Sequence, residues 1–434
     1  MEQKMLFPDC WSRIGFAAQK GDVVFNNLLC HINASTLKEA FDSLDGNKAL
    51  GIDGISKKHY GKNLENNIKS LVDRIHKGSY KPQNKREVLI PKENGKTRPI
   101  AISCFEDKLI EWVMAKILEN IYEPIFIKNS FGFRPNKSTD DAIKAIYYSL
   151  KDNRRSNVVE IDFSSCFNSI PHRELIKSIS KKISDDRFKG LIGRFLMVGV
   201  LEQSGDIRPS EVGTPQGSIM SPILANIYLH EVLDKWFIDN YASYNNIIVR
   251  YADDAVFLFK NKEIAESFII ELFNRVEKYG LELNKDKTKT INFDKNEKNS
   301  FNFLGFTFYW KTKGKRKRRE LKLKTRKETL HKKINEFYKW IKEVRNKIRT
   351  KEIWKIAKSK IIGHYNYYGY WMNKPKINHF YWEAIKSLFK WMNRRSQKAS
   401  YTWEEFKRKL LLDPLPIPPE PLKLKNLGWH PYVL

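Results

Sequence analysis

Cysteine is scarce in this sequence, and its few copies are scattered. The four cysteines among the 434 residues are Cys10, Cys30, Cys104 and Cys166, and no two of them form a C-x-x-C pair. A zinc site built from cysteines needs such close pairs, and a disulfide framework needs a denser set. The sequence therefore predicts neither kind of site, and it favours a reducing compartment.

Long apolar runs, a targeting segment and internal repeats are also missing. No window reaches the roughly 18 consecutive apolar residues of a membrane span. The first ten residues, MEQKMLFPDC, have no basic segment followed by an apolar core. No repeat recurs at a period of about 20–50 residues. We therefore expect a soluble, intracellular protein with no membrane partner.

Acidic residues are outnumbered by basic ones, and the imbalance is local. The chain has 79 Lys and Arg against 50 Asp and Glu, a net charge of +29. Residues 311–434 hold 34 basic and 10 acidic residues, which leaves +24, whereas residues 1–310 hold 45 and 40, which leaves +5. Such a distribution favours nucleic-acid binding, because neutralising phosphates releases counterions. Binding to an acidic membrane surface is the weaker alternative.

Apolar periodicity predicts an α/β body followed by a basic helical tail. Short apolar runs predict buried strands at 87–91, at 158–163 and on both sides of Tyr251. The basic run KTKGKRKRR at 311–319 marks the domain boundary, and helices are expected from there to the proline-rich PLPIPPEP at 414–421. Helices are predicted in the body over about residues 34–45, 62–77, 106–121, 139–150, 172–183 and 263–279.

Two adjacent aspartates interrupt the apolar run IIVRYADDAVFLF at 247–259. A hairpin with Asp253 and Asp254 at its tight turn would place both carboxylates at the rim of a sheet. A second predicted strand ends at Asp162, so two strands can bring three carboxylates together. Oxygen ligands suit Mg²⁺, and paired ions about 3.5–4 Å apart serve in-line nucleotidyl transfer. A solvated turn is the alternative for the aspartate pair, and nucleotide cyclases use paired carboxylates in a similar way.

The motifs around these aspartates resemble those of reverse transcriptases, particularly those of bacterial group II introns. Y-A-D-D at 251–254 and D-F-S-S-C-F at 162–167 resemble the palm of these enzymes. Further segments resemble the fingers, palm and primer-grip motifs of these enzymes and occur in the same order. They are N-K-A-L-G-I-D-G-I-S at 47–56, I-P-K-E-N-G-K-T-R-P-I at 90–100, S-F-G-F-R-P-N-K-S-T at 130–139, G-T-P-Q-G-S-I-M-S-P-I-L-A-N at 213–226, L-N-K-D-K-T at 283–288 and F-L-G-F at 303–306. G-H-Y-N-Y-Y-G at 363–369 and N-R-R-S-Q-K-A-S-Y-T-W-E-E-F at 393–406 resemble the thumb and maturase region.

The resemblance spans nearly the whole chain and implies an α/β (α+β) right-hand polymerase fold. We expect fingers and a palm with an antiparallel sheet, followed by an α-helical thumb and maturase domain. The implied divisions are 1–84 for an N-terminal extension and the start of the fingers, 85–310 for fingers and palm, and 311–434 for the thumb. No appended H-N-H endonuclease domain is expected, and a bacterial cytoplasmic location is implied.

The resemblance also implies a catalytic and metal-binding set. The catalytic residues would be Asp162, Asp253, Asp254 and Lys287, and the metal ligands Asp162, Phe163, Asp253 and Asp254. Two Mg²⁺ ions are expected, with Mn²⁺ as a substitute. Lys287 would protonate the leaving pyrophosphate as a general acid, although Lys285 and Lys289 in the same segment offer the same chemistry.

Nucleotide and nucleic-acid contacts follow from the same motifs. Lys92 and Arg98 would contact the dNTP phosphates when a fingers hairpin closes, although paired cations beside a turn are often only solvated. Phe167 would exclude the ribose 2′ hydroxyl as a steric gate, with a plain core role as the alternative. Gln216 and Gly217 would flank the nascent base pair, with a helix-entry turn as the alternative.

Template and primer contacts would come from Arg134, Phe303, Leu304 and Gly305, with a structural loop arginine as the alternative for Arg134. RNA binding is expected of Lys315, Arg316, Lys317, Arg318 and Arg319. The partners would be an RNA template, a DNA or RNA primer, dNTPs, and a structured intron RNA or another cognate RNA. The oligomeric state stays open.

The leading hypothesis is an RNA-directed DNA polymerase that also assists group II intron splicing and retrohoming as a maturase. One alternative is a domesticated reverse transcriptase of a CRISPR or antiphage defence system, with the same chemistry and another RNA. An alternative of a different class is a catalytically silent RNA-binding splicing factor. Intact Asp162, Asp253 and Asp254 argue against the silent factor.

Overall fold

The computed structural model of the protein describes residues 9–91, 97–152, 154–313, 318–395, 401–418 and 423. Helices and strands alternate through the first two thirds of the chain, and helices dominate after residue 326. The helices are α1 (Cys10–Gln19), α2 (Ala34–Ser43), α3 (Lys57–Tyr60), α4 (Leu64–His76), α5 (Phe105–Tyr122), α6 (Thr139–Lys151), α7 (Cys166–Ser169), α8 (His172–Ser180), α9 (Asp186–Leu196), α10 (Ser221–Leu229), α11 (Lys235–Tyr241), α12 (Lys262–Lys278), α13 (Lys327–Val344), α14 (Thr350–Tyr368), α15 (Lys374–Met392) and α16 (Trp403–Leu412).

The strands form three sheets, ordered β2-β1-β4-β5, β6-β7-β3-β8 and β11-β10-β9. Their bounds are β1 (Lys85–Pro91), β2 (Thr97–Ile102), β3 (Asn157–Ile161), β4 (Val200–Leu201), β5 (Ile207–Arg208), β6 (Ile247–Tyr251), β7 (Asp254–Phe259), β8 (Lys289–Asn292), β9 (Ser300–Phe303), β10 (Phe306–Lys313) and β11 (Arg318–Thr325). β1 and β2 pair antiparallel, from Arg86 opposite Ile102 to Pro91 opposite Thr97. β6 and β7 flank a two-residue turn, as the sequence predicted, but the turn consists of Ala252 and Asp253 and lies one residue earlier than the predicted Asp253 and Asp254.

The predicted helices and strands of the α/β body are confirmed, with shifts of a few residues at their ends. Helix α5 contributes a large apolar face to the core, on which Leu109, Ile110, Val113, Met114 and Ile117 are all fully inaccessible to solvent. An apolar stripe along one side of a helix is typical of a helix that packs against the interior of a domain. No helix in the described part of the chain is long and apolar enough to cross a membrane.

The described parts of the basic run at 311–319 lie in strands and not in a helix, and this corrects the sequence-based expectation. β10 and β11 pair antiparallel along their length, from Phe306 opposite Thr325 to Lys313 opposite Arg318, and α13 begins only at Lys327. The segment LKLKT at 321–325 alternates with the period of two that a strand requires, so that Leu321 and Leu323 are buried. The high lysine content hid this alternation.

The chain forms two compact units. One comprises Met1–Ala142, Ile161–Phe257 and Glu263–Lys289, and the other comprises Ile143–Glu160, Leu258–Lys262 and Thr290–Leu434. In the second unit, α13, α14 and α15 pack around a core that includes Phe337, Trp354 and Leu388. The proposed division at residues 84 and 310 rests on motifs and stays a prediction.

Candidate active site

The turn between β6 and β7, together with the first residue of β7, carries two of the three predicted catalytic carboxylates. β6 ends at Tyr251 and β7 begins at Asp254, so that Ala252 and Asp253 form the turn. Ala252 has a φ of +56°, in the left-handed region that tight turns use. The apolar strands on both sides are buried, which leaves the turn as the place where their polar groups reach the surface.

Gly132 supports this turn by lying directly against its backbone. A Cβ atom at Gly132 would lie 2.3 Å from the nitrogen of Ala252 and 2.9 Å from the carbonyl carbon of Tyr251. Any other side chain would displace the turn, because real Cβ contacts do not come closer than about 3 Å. The segment S-F-G-F at 130–133 therefore requires glycine for close backbone approach.

A fully buried arginine supports the turn between β6 and β7 through hydrogen bonds. Arg250 donates from Nε to Asp234 Oδ1 at 2.7 Å and from Nη2 to Asp234 Oδ2 at 2.5 Å, and both side chains are inaccessible to solvent. The Nη1 atom of Arg250 donates to Asn226 Oδ1 at 2.9 Å and to the Ala252 carbonyl at 3.0 Å. Burial alone would raise the pKa of Asp234, but the charge of Arg250 reverses this and lowers it. The ion pair thus fixes the turn by a direct bond to its main chain.

Asp234, the partner of Arg250, lies at the end of an irregular helical turn. His230–Asp234 forms a π-helical turn between α10 and α11, with one more residue per turn than the flanking α-helices. Asn226, one turn earlier, donates from its side-chain amide to the Gly132 carbonyl at 2.8 Å. Helices α10 and α11, the glycine segment and the catalytic turn are therefore joined in one hydrogen-bonded network.

The three aspartates lie close enough for their charges to interact. Asp162 follows β3 directly, and its carbonyl accepts from Asn284 N at 2.8 Å. Partial burial, with the charges of Asp253 and Asp162, raises the pKa of Asp254 to about 6. Burial also raises the pKa of Asp253, helped by the Asp162 charge and opposed by Arg98. Neighbouring carboxylates with raised pKa values favour the binding of a cation, because a positive charge stabilises their ionised forms.

Lys287 supplies a cation to this group. Its Nζ atom donates to Asp162 Oδ2 at 2.9 Å, and 64% of the side chain remains exposed. Asn284 accepts the Lys287 main-chain N–H through its side chain at 3.2 Å, which holds the segment in place. Lys287 thus forms an ion pair with Asp162, one of the predicted catalytic aspartates.

The carboxylates fit a divalent metal by their chemistry, but they are not assembled as a finished site. Across the described residues, no group of three or more His, Cys, Asp or Glu side chains converges closely enough to hold a metal ion. The donor atoms are hard oxygens, and the pKa values of Asp253 and Asp254 are raised first by burial and then by the neighbouring carboxylates. Asp162 meanwhile bonds to Lys287. Phe163 forms a bridge with Leu283 directly after Asp162.

The loop at 213–217 joins the segment of Phe167 to the fingers hairpin. Thr214 N donates to the Phe167 carbonyl at 2.6 Å, and Ala101 N on β2 donates to the Gln216 carbonyl at 2.7 Å. Gly217 has a φ of +111°, and a Cβ atom there would lie 2.7 Å from the Ala101 carbonyl oxygen. The Phe167 ring is half-buried, with its centroid 6.5 Å from that of the exposed Phe133.

A cavity of about 620 Å³ opens between this loop and the fingers hairpin. Its lining includes Leu89, Thr97, Asn168, Thr214 and Gln216. Arg98 is exposed on β2, and its positive charge lowers the pKa of Asp253. The hairpin therefore brings the positive charge of Arg98 near Asp253, whereas Lys92 lies outside the described residues. The predicted contact of Arg98 with dNTP phosphates stays a prediction.

Arg134 is buried, and its guanidinium group is engaged within the protein. It donates to both Glu123 carboxylate oxygens, at 3.0 and 2.8 Å, and to the carbonyls of Ile127 and Ser130. Only 8% of the residue is exposed. This geometry favours the structural alternative over the predicted template contact.

The remaining predicted contacts belong to the second unit. Phe303 is buried at the end of β9, and Leu304 and Gly305 form the turn into β10. Arg319 donates to the Glu297 carbonyl at 3.0 Å. Lys315, Arg316 and Lys317 lie outside the described residues, and for Arg318 the backbone alone is placed, in β11.

The sequence patterns did not predict a second buried ion pair. They also did not predict the structural roles of Arg250, Asn226 and Asp234. Lys85 Nζ lies 2.9 Å from Glu111 Oε1, with both side chains at most 2% exposed. The other Glu111 oxygen accepts from Ile219 N at 3.0 Å, so that the pair joins β1, α5 and the 213–219 segment. The available signal was a charged residue within an apolar segment, as at Glu111 in α5 and Arg250 in β6.

The chain resembles known proteins over the residues that build this site. The sequence profile of the family described as "Reverse transcriptase (RNA-dependent DNA polymerase)" matches residues 90–308. Protein YkfC of Escherichia coli (strain K12) is 33% identical over 297 residues, which cover 61% of this chain and 76% of YkfC. The group II intron-encoded protein LtrA of Lactococcus lactis subsp. cremoris is 42% identical over 198 residues, 45% of this chain and 32% of LtrA. The match thus spans about a third of the length of LtrA. Among solved structures, apo telomerase from Candida tropicalis aligns with a TM-score of 0.47 and 14% identity over 79% of this chain and 65% of that one.

Proposed function

Because the chain belongs to the reverse transcriptase family, on its group II-like branch, we propose that it extends a primer with dNTPs on an RNA template at Asp162, Asp253 and Asp254. Family membership accounts for the α/β right-hand polymerase fold. The observation that carries the proposal is the mutual charge interaction of three carboxylates from two separate strands. The β1–β2 hairpin, whose Arg98 interacts with Asp253 through its charge, also lines a cavity together with the 213–217 loop.

Reverse transcriptases in general use divalent metals, and we propose two Mg²⁺ ions here, with Mn²⁺ as a substitute. Asp162, Asp253 and Asp254 would hold them, with Phe163 as the additional ligand position. When bound, the ions lower the pKa of the primer 3′ hydroxyl and neutralise charge on the phosphates. Lys287 must leave Asp162 to make room for this, and its exposed ammonium group is free to move.

The cations and the polar loop would then act on the nucleotide. Lys287, released from Asp162, would donate a proton to the departing pyrophosphate. Arg98 would contact the triphosphate from β2, joined by Lys92. Phe167 would lie against the sugar and reject a 2′ hydroxyl, while Gln216 and Gly217 would flank the new base pair. Each role follows the motif that the residue belongs to.

We further propose that the basic region beyond residue 310 binds a structured RNA and that the protein assists splicing and retrohoming of a group II intron. The local charge of +24 supports the RNA contact, since phosphate neutralisation supplies affinity without sequence preference. The relatives whose names describe intron-encoded proteins favour an intron as the source of that RNA. Sequencing RNA crosslinked to the protein in its native cells would distinguish an intron from the RNA of a defence system.

The test of the polymerase activity is primer extension on an RNA template. The protein should add dNTPs with Mg²⁺ present, stop when EDTA removes the metal, and resume when Mg²⁺ is restored. It should add rNTPs poorly. A metal-replete protein that binds the primed template and adds no nucleotide would instead support the silent splicing factor.

A further inference from the structure

The helical part of the second unit contains a pocket that the polymerase reaction does not use. It lies among α13, α14 and α15 and has a volume of about 410 Å³. Its lining includes Phe337, Lys360, Gly363, His364 and Phe380. A volume of this size is in the range of sites that hold a small organic molecule or a single nucleotide.

Aromatic rings form one wall of this pocket. The His364 and Phe380 rings stack with centroids 3.7 Å apart and an interplanar angle of 11°. Phe337 meets Phe380 edge to face at 6.1 Å. His364 is 94% buried, since 6% of its surface is exposed, and its Nε2 atom has no hydrogen-bond partner among the described residues. Burial lowers the pKa of His364 to about 3, so the ring is neutral and keeps an unused polar edge.

Gly363 leaves an opening in the surface of α14. It lies inside the helix Thr350–Tyr368, where glycine is less stable than alanine. Apart from its chain neighbours and the backbone of its own helix, no heavy atom of the described structure lies within 4 Å of the position that its Cβ atom would occupy. Packing within the chain therefore does not require glycine at this position. A bare backbone beside a pocket instead allows an external group to approach closely.

The rim of the pocket carries more positive than negative charge. Lys333 and Lys360 lie on α13 and α14, against the single acidic residue Glu336. Lys333 Nζ lies 2.9 Å from Glu336 Oε2, whereas Lys360 is exposed and lies over the Trp340 ring at 5.2 Å. Aromatic walls beside the half-buried Lys333 and the exposed Lys360 match a base attached to a phosphate better than an apolar protein segment.

The same pocket wall supports the turn predicted to grip the primer. Tyr367, which lines the pocket, donates from its hydroxyl to the Leu304 carbonyl at 3.1 Å. The rings of Tyr367 and Phe306 stack at 6.0 Å with an angle of 7°. An occupant of the pocket would therefore rest on the helix that holds the 303–306 turn.

We propose that this pocket binds one unpaired base of an RNA, with its phosphate toward Lys333 and Lys360. Proteins select unpaired bases by stacking them on aromatic side chains, and a base fits the space that Gly363 leaves open. The inference rests on the proposed function, because it assumes that the partner of this unit is RNA. A specific site for one base would thus add to the general electrostatic attraction between RNA and the basic region.

Hairpin RNAs with and without one bulged nucleotide test the inference on the full chain. The wild-type protein should bind the bulged hairpin more tightly than the fully paired one for at least one of the four bases. Gly363→Leu fills the opening and should reduce this preference about tenfold, the effect of losing one stacked base. Gly190→Leu is the matched control, because Gly190 also lies in a helix with nothing within 4 Å of its Cβ position among the described atoms.

A second variant keeps the test independent of folding at Gly363. Lys360→Gln removes an exposed charge and should weaken binding of the bulged hairpin with a shallower salt dependence, while affecting the paired hairpin less. Equal affinity of the wild-type protein for bulged and paired hairpins overturns the inference and leaves the proposed function standing. Failure to bind either hairpin overturns the RNA-binding part of the proposed function, and the inference with it. Equal loss of preference in Gly190→Leu and Gly363→Leu also overturns the inference.

Discussion

Arg250 and Asp234 form a two-point ion pair with both side chains fully buried, directly behind the turn of Ala252 and Asp253. Because Arg250 also donates to the Ala252 carbonyl, the pair couples the π-helical turn at 230–234 to the catalytic turn. The planar guanidinium group offers its donors in a fixed fork, which a lysine cannot reproduce. Arg250 is therefore a positioning residue for Asp253 and Asp254.

Arg250→Lys should lower the rate of primer extension by about tenfold or more, since small misplacements of catalytic groups are costly. The charge is retained, so the fold should survive with a lower melting temperature. Steady-state kinetics should show the loss in kcat, with the KM for dNTP little changed. Arg173→Lys, at an exposed site on α8, is the control and should change neither quantity. A wild-type kcat in Arg250→Lys would contradict the positioning role.

Gly132→Ala should displace the catalytic turn, because the new Cβ atom would lie 2.3 Å from the Ala252 nitrogen. A shift of about 1 Å at a reacting group costs roughly a hundredfold in rate. We expect a loss of that order in primer extension, measured beside Gly190→Ala, where the Cβ has open space among the described residues. Equal activity of the two variants would show that the turn tolerates the contact.

Phe167→Ala and Phe167→Val should raise the incorporation of ribonucleotides relative to deoxynucleotides. The reason is that the half-buried ring would no longer fill the space beside the 2′ position. The measurement is the ratio of kcat/KM for dNTP and rNTP in primer extension. Phe16→Ala, an exposed phenylalanine on α1, is the control. Unchanged sugar discrimination at Phe167 would refute the steric gate.

Asp107 should make the stability of the protein depend on pH. It is 1% exposed and accepts from the Tyr80 hydroxyl at 2.6 Å, and burial raises its pKa to about 7. Its unfolded-state pKa is about 3.9. Between these values the unfolded chain binds fewer protons, so the free energy of unfolding should fall as pH rises from about 4 to 7, by at most about 1.4 kcal/mol per pH unit.

Urea unfolding of wild type and Asp107→Asn at pH 5 and pH 7.5 measures this contribution. The variant should lose less stability than wild type over that interval, because asparagine does not ionise. Asp73→Asn, at an exposed site on α4, should follow the wild type. Parallel pH profiles for Asp107→Asn and wild type would contradict a raised pKa in the folded protein.

Glutamine at Lys315, Arg316, Lys317, Arg318 and Arg319 should weaken RNA binding and flatten its dependence on salt. Each lost phosphate contact reduces the slope of log K against log salt by about 0.7 to 0.9. The control removes the same number of charges from exposed lysines of the first unit, at Lys58, Lys62, Lys69, Lys77 and Lys81. An equal change of slope in both variants would show that the basic run has no special role.

The sequence predicted the parts of the site that depend on local patterns. The alternation around Tyr251 located β6 and β7, and the paired aspartates marked their turn. The pairing of β10 and β11 was missed because the half-buried lysines that alternate with Leu321 and Leu323 concealed the period of two. The partners of Arg250 and the approach of Gly132 to Ala252 were beyond reach, since both contacts join residues far apart in the chain. For Arg134 the motif left two roles open, and its burial favours the structural one over the template contact, which stays a prediction.

The most direct test of the proposed polymerase activity is primer extension by Asp253→Asn on an RNA template with Mg²⁺. The substitution removes one negative charge with little change of shape, so binding of the primed template should remain at the wild-type level. Asp239→Asn, at an exposed site on α11, should extend primers normally. We predict that Asp253→Asn binds the primed template and adds no nucleotide. Extension by Asp253→Asn at a rate near that of the wild type would contradict it.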